Sequence, residues 1–461
     1  MNMPNRLIHF GVGSFFRGHQ VYYIDRYNRL VEPSKRWYYT GVNLRSESRG
    51  LIEALSQQNG RYHLKKISAY GDIEIRKIEA LESVIDASDN VDAINSLFAD
   101  QETKALTITV TEGGYYLTDT NDLNLNDPEV AWDIAHQDRP KTIYGFIKHA
   151  LEVRAASSAG AITVLTCDNL RDNGRVLENA FKQYLTATQN KDLLEWVNQH
   201  VTFPCCMVDR ITPVPPPNLA QELSTVVGEQ DDCPIMGEDF EQWVIEDKFA
   251  AGFPSLEKVG VTFSSQVHEF EETKIRILNG GHFLLSYVGA LRGYQTFDQN
   301  MLDDELADWL KGYHQTEVIP TIANPPVDLE QYRQKIVERF GNSHIADSIE
   351  RIAMDSISKF PQFILPTVRF NLERNHMPKY AIELIAHWYC FLERFHNGKL
   401  AFNYKDPHFS KAKQWLDSSD GVTDFLKNED VWQGLTAQYP DFSERMRVKI
   451  QDLSKAYEEQ P

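Results

Sequence analysis

The stretch Arg6-Leu-Ile-His-Phe-Gly11-Val-Gly13-Ser-Phe-Phe-Arg17-Gly18-His19 reads as a short apolar strand, a tight turn carrying two glycines, and the start of a helix. Beyond it, Tyr23, Ile24, Tyr27, Leu30 and Val31 are spaced by one, three, three and one, which predicts an apolar stripe on one helix face. This is the opening half of a βαβ unit. Further strand-like runs at 37–42, 106–110 and 161–165 alternate with helical stretches such as 143–153, and such alternation predicts a mostly parallel sheet. Residues 62–80 read as short strands with polar turns, a hairpin inserted on that sheet.

From about residue 270 the pattern turns helical, with periodic segments at 274–291, 303–313, 331–340, 381–395 and 443–457. The last carries Met446, Ile450, Leu453 and Tyr457 at spacings of four, three and four, one buried face. Pro213 to Pro217 and Gly252 to Pro254 are loops, because apolar patterning resumes on both sides. The predicted fold class is α/β: an N-terminal Rossmann-type dinucleotide-binding domain over residues 1–268, and a mostly α-helical substrate and catalytic domain over 269–461.

Composition narrows the function. The chain has 461 residues, 42% of them hydrophobic, and 47 basic against 66 acidic residues leave a net charge of −19. No positive field is available for phosphate backbones or anionic lipid, so neither nucleic acid nor a membrane surface is an expected partner. Five cysteines without a CxxC pair suggest neither a disulfide framework nor a zinc site, so no metal is expected. The longest nearly apolar stretch, 283–291, is well short of the ~20 residues of a membrane span. No leader pattern precedes the first strand, and the expected location is the cytoplasm.

Gly11-x-Gly13 between strand and helix suits a dinucleotide: the first glycine makes the turn and the second lets backbone approach a pyrophosphate. The third glycine of the usual fingerprint is replaced by Phe16, and a structural turn without ligand gives the same pattern. After the second strand, Asn43 stands where an acidic ribose anchor is usual, and Arg45 follows. Asn43 can serve one ribose hydroxyl of NAD and Arg45 can meet the 2′-phosphate of NADP, so both cofactors stay open.

The segment Glu271-Glu-Thr-Lys274-Ile-Arg-Ile-Leu-Asn279-Gly-Gly-His282 carries the chemistry. At about 100° per residue with Lys274 at zero, Glu271 falls near 60°, His282 near 80° and Asn279 near 140°, on one side of a helix. A desolvated lysine loses pKa and can take a proton from an alcohol, while an amide beside it donates to the oxygen that becomes an alkoxide. A surface lysine and a satisfied core histidine are the alternative for each residue alone, and their convergence argues against it.

These residues, with Thr109-Val-Thr-Glu-Gly-Gly-Tyr115, Cys167-Asp-Asn169-Leu, Asn173-Gly174, Val208-Asp209-Arg210-Ile-Thr-Pro213 and Gln242-Trp-Val-Ile-Glu-Asp247, give the chain a resemblance to the mannitol dehydrogenase family over nearly its whole length. The family, the long-chain polyol-specific dehydrogenases, includes mannitol 2-dehydrogenases, D-arabinitol 4-dehydrogenases and the fructuronate and tagaturonate reductases. The resemblance implies metal-independent hydride transfer between NAD(H) and a secondary alcohol or ketone of an open-chain sugar. It implies Lys274 as general base, Asn169 and Asn279 as amides holding the substrate oxygen, His282 as the orienting residue, and Glu271 as the carboxylate at a proton-release path. Asp209, Arg351 and Lys359 match positions that bind substrate hydroxyls, and Gly11, Val12, Gly13, Phe15, Arg17, Asn43, Arg45 and Glu112 are the expected cofactor contacts.

Mannitol, arabinitol and the hexuronates differ at their chain ends, where a carboxylate would want a bidentate arginine. Arg351 and Lys359 resemble the pair of the polyol-oxidising members, which favours D-mannitol and D-fructose. The alternatives are a hexuronate reductase, D-arabinitol 4-dehydrogenase, or an inactive relative that merely binds NAD or sugar. The last would have lost Lys274, Asn279 or Asn169, and all three are present. A monomer is the expected state.

Overall fold

The computed structural model describes residues 5–45, 48–87 and 90–459. Its first unit, Met1–His268, is built on six strands: β1 (Asn5–Phe10), β2 (Trp37–Asn43), β3 (Leu81–Asp86), β4 (Thr103–Ile108), β5 (Ile162–Thr166) and β6 (Val201–Thr202). They lie in the spatial order β3-β2-β1-β4-β5-β6, and every neighbouring pair is parallel. Strand order therefore reverses between β1 and β4, the switch point at which doubly wound sheets open a crevice beyond the strand C-termini. The alternation of strand side chains explains why the sheet is buried on both faces. Leu7, Tyr39, Ala105 and Leu165 enter one core, and Ile8, Phe10, Val42, Leu106 and Val164 enter the other.

Two local expectations are corrected. The helix after the glycine turn is broken at His19 into Ser14–Gly18 and Gln20–Asn28, and Leu30 is left 63% exposed. At the far end of the second piece the Asn28 carboxamide donates to the Trp37 carbonyl at 2.7 Å and accepts from the Trp37 N–H at 2.9 Å. That pair holds the helix end at Asn28 to the start of β2, so Leu30 falls outside the helix, while Val31 still packs against the same core. The hairpin of Tyr62–Ile67 and Ile73–Ile78 does not join the main sheet either. Its first strand pairs in parallel with Ile235–Glu238, making a separate three-stranded sheet from a segment far along the chain.

The second unit, Glu269–Pro461, is helical among its described residues. Helix Lys379–His396 lies against both Gly280–Leu291 and Pro440–Glu458, and a single core including Leu284, Val288, Leu384, Trp388, Met446 and Ile450 fills the space. No helix among the described residues is long and apolar enough to cross a membrane.

Candidate active site

In the first unit a cleft of about 260 Å³ opens at the switch point. Gly11, Val12 and Gly13 beyond β1, Asn43 and Arg45 at the end of β2, and Thr109 to Thr111 beyond β4 line it. Gly11 adopts φ +101°, and a Cβ there would lie 1.8 Å from the Thr109 carbonyl oxygen. Only glycine makes that turn. At Gly13 a Cβ would meet nothing within 4 Å, so bare backbone faces open space. This is the arrangement a pyrophosphate needs for close approach to main-chain N–H groups.

Asn43 is turned onto its own chain, its Nδ2 donating to the Arg45 carbonyl at 2.6 Å. The bend brings Arg45 to the cleft wall, and Oδ1 accepts from the Arg45 N–H at 3.5 Å. Lys141, absent from the sequence reading, lines the same cleft, with its ammonium 3.9 Å from the centre of the Trp132 ring. Phe15 is stacked against His19 at 4.9 Å, and Glu112 is exposed at the start of the short 3-10 helix Glu112–Tyr115; neither is among the described residues lining the cleft. Arg17 is not among the described residues lining the cleft either. Its guanidinium is buried, donates to the Cys233 carbonyl at 2.6 Å and lies over the Tyr62 ring, so it ties the second sheet to the glycine-turn helix.

In the cleft wall, Thr111 is held at φ 65°, ψ 164°, a region costly for a β-branched residue. Asp168, at the end of β5, compensates by accepting the Val110 N–H at 2.8 Å, the Thr111 N–H at 3.1 Å and the Tyr115 hydroxyl at 2.6 Å. It thereby fixes the β4 loop, and its chain neighbour is Asn169, which is exposed. Burial pushes the Asp168 carboxyl up to about 6, against the opposing pull of those three donors. A raised carboxyl pKa stabilises the fold below the unfolded-state value near 4, and that contribution is lost as pH rises through about 6. Urea unfolding of wild type and Asp168→Asn between pH 4 and 7.5 is therefore expected to give a stability difference, wild type minus variant, that shrinks by about 2–3 kcal/mol as pH rises. A pH-independent difference would refute this.

Asn173 and Gly174 are structural. Asn173 donates to the Cys206 carbonyl at 2.7 Å, and a Cβ at Gly174 would lie 2.5 Å from the Pro204 carbonyl oxygen. Asp209 is buried at the end of strand Cys206–Asp209, opposite Gln242.

In the second unit Lys274 closes helix Val267–Lys274 and is followed not by further α-helix but by a π segment, Ile275–Asn279, and then by helix Gly280–Leu291. The continuous α-helix expected over 274–291 is corrected accordingly. A π turn closes over five residues, so Asn279 stands roughly one turn above Lys274 instead of about 140° round from it. The segment thus narrows the arc on which Glu271, Lys274, Asn279 and His282 lie. Glu271 and Lys274 are 8% and 7% exposed.

His282 is clamped between aromatic rings, stacked on Phe340 and edge-on to Phe297, both at 4.3 Å. Its Nε2 lies 4.0 Å from Oδ2 of Asp347. Asp347 in turn takes a two-pronged pair from Arg351, Nε at 2.8 Å and Nη2 at 2.5 Å. Asp347 went unread in the sequence, although its four-residue spacing from Arg351 was the available signal. Lys359 donates to the Met354 carbonyl at 2.6 Å, with Asp355 at 4.0 Å.

A parallel sheet with a glycine turn open at its switch point defines a Rossmann-type dinucleotide fold. Residues 5–258 match the mannitol dehydrogenase Rossmann domain and residues 266–454 the mannitol dehydrogenase C-terminal domain. The chain belongs to the mannitol dehydrogenase family, oxidoreductases acting on CH–OH groups. It is 35% identical to D-arabinitol 4-dehydrogenase of Ralstonia nicotianae, over 94% of this chain and 93% of that protein. It is 32% identical to D-mannonate oxidoreductase of Escherichia coli, over 96% and 94%. The structure of Pseudomonas fluorescens mannitol 2-dehydrogenase, a ternary complex with NAD and D-mannitol, superposes with a TM-score of 0.86 at 33% identity, covering 100% of this chain and 95% of that one.

Proposed function

We propose that the protein is a metal-independent polyol dehydrogenase that interconverts D-mannitol and D-fructose with NAD. Residues 1–268 hold the cofactor, through the turn at Gly11, Val12 and Gly13 and through Asn43 and Arg45, and residues 269–461 supply the base and the substrate contacts. Bound NAD supplies the acceptor for the hydride leaving the carbinol carbon. The hydroxyl proton passes to Lys274 Nζ, Asn169 and Asn279 donate to the oxygen as it becomes carbonyl or alkoxide, and His282 orients the sugar. Glu271 receives the proton beyond the lysine. Asp209 and Lys359 offer polar groups to the remaining hydroxyls. We read the enzyme as a cytoplasmic monomer.

The observation that carries the polyol reading is the pairing of Arg351 with Asp347. A hexuronate carboxylate would want that guanidinium fork for itself and would have to displace a bidentate partner. A neutral hydroxyl needs only one of the remaining N–H groups. The test follows nicotinamide absorbance with NADH and NADPH, each against D-fructose, D-xylulose, D-fructuronate and D-tagaturonate. NADH with D-fructose is expected to be fastest. Activity confined to a uronate would reassign Arg351 to carboxylate binding, and preference for NADPH would reassign Arg45 to a 2′-phosphate.

A further inference from the structure

The π segment carrying Asn279 is held from outside. A second π segment, Tyr313–Val318, presents His314, fully buried, with its Nε2 2.8 Å from the carbonyl oxygen of Ile277 at the centre of the Ile275–Asn279 turn. Burial takes the imidazole down to about 3. A neutral ring facing a carbonyl carries its proton on that nitrogen and donates. Room for the ring comes from Gly281, where a Cβ would lie 2.7 Å from His314 Nε2 and 2.9 Å from Leu310 Cδ1. The support is itself anchored, since Glu317 accepts the N–H groups of Tyr380 and Ala381, both at 2.8 Å, at the start of helix Lys379–His396. Asn371 also donates to the Glu317 carbonyl at 2.8 Å.

The π form is rare and persists where surroundings satisfy the carbonyls it displaces. We propose that His314 is a positioning residue: by donating to the Ile277 carbonyl through the gap at Gly281, it holds the five-residue turn that sets Asn279 over Lys274. Without that donor the segment relaxes toward an α-helix, which swings Asn279 away from the lysine by the angle its five-residue offset dictates. His314 touches no substrate. This inference rests on the reading of Lys274 as the base.

The test compares His314→Asn, His314→Gln, Gly281→Ala and Lys274→Ala in the full chain, with turnover of NADH and D-fructose, or the fastest ketose of the panel, expressed per folded molecule. A glutamine Nε2 reaches the carbonyl that the imidazole reaches, whereas an asparagine amide falls short. His314→Asn and Gly281→Ala are expected to lower kcat roughly 10–100-fold, the cost of a misplaced reacting group, with KM for NADH within about twofold. His314→Gln is expected to recover most of the loss. A merely structural histidine would lower the melting temperature of all three and leave kcat per folded molecule alone, which overturns the proposal, as does a glutamine variant as slow as the asparagine one. If Lys274→Ala still turns over, the base reading falls and takes this inference with it. If Lys274→Ala is inactive while the His314 and Gly281 variants run at the wild-type rate, only the positioning role falls.

Discussion

Replacing Lys274 with alanine is expected to leave a folded protein whose kcat is lower by roughly 10²–10⁴-fold, the contribution of a positioned general base. Lys274 is 7% exposed, and its helix hands directly into the turn bearing Asn279. KM for NADH should change little, because the described residues lining the nucleotide cleft all lie in the other unit. Lys274→Arg sharpens the test. Arginine restores the positive charge but does not release its proton in the working range, so a base role predicts that it stays as slow as alanine, whereas a purely electrostatic role predicts recovery. Steady-state kinetics with matched thermal unfolding decide between them, and an alanine variant with full turnover would exclude the proposed mechanism.

The second large effect concerns two glycines a residue apart. Gly11→Ala is expected to destabilise the protein by at least about 3 kcal/mol, from the left-handed backbone cost together with a clash. The new Cβ would stand 1.8 Å from the Thr109 carbonyl oxygen and 2.9 Å from its carbon. The clash has no soft side, because the Thr109 N–H donates to the Phe10 carbonyl and the Gly11 N–H to the Val42 carbonyl, both at 2.9 Å, so β1, β2 and β4 would all have to part at the switch point. A fall in melting temperature of roughly 10 °C follows for a unit of this size. Gly13→Ala should behave oppositely. Its Cβ meets nothing within 4 Å, so the melting temperature should hold within about 2 °C, while KM for NADH rises by roughly tenfold as the methyl group occupies the space where backbone meets pyrophosphate. Calorimetry and NADH titration separate the two, and wild-type stability for Gly11→Ala would mean that the turn is not the one described.

What could be read in the sequence follows from what is local. The strand at 5–10, the glycine turn after it and the alternation that builds a parallel sheet are encoded by neighbours within a few residues, and so is the helical period of the second unit. The spacing of Lys274, Asn279 and His282 likewise put them on one side of an expected α-helix, but the π segment at Ile275–Asn279 that interrupts it was not legible. The surroundings of Arg17 were not legible, for the converse reason. It stands in a run that marks a cofactor turn, yet its guanidinium answers to Cys233, more than two hundred residues away. The hairpin at 62–78 failed in the same way, since its sheet partner arrives only at Ile235–Glu238.

By itself the sequence determined the βαβ opening and the two-part organisation, because apolar period and glycine placement are properties of short windows, and its motifs carried the resemblance to the family. Only the tertiary structure decided that the lysine helix passes into a π turn propped by His314, that Arg351 is held by Asp347, and that Asp168 braces the strained loop at Thr111. Each of these depends on which polar group, remote in the chain or set by a turn, comes within hydrogen-bond distance of a buried partner. Burial makes an unmet polar group expensive, and long-range packing chooses which partner meets it.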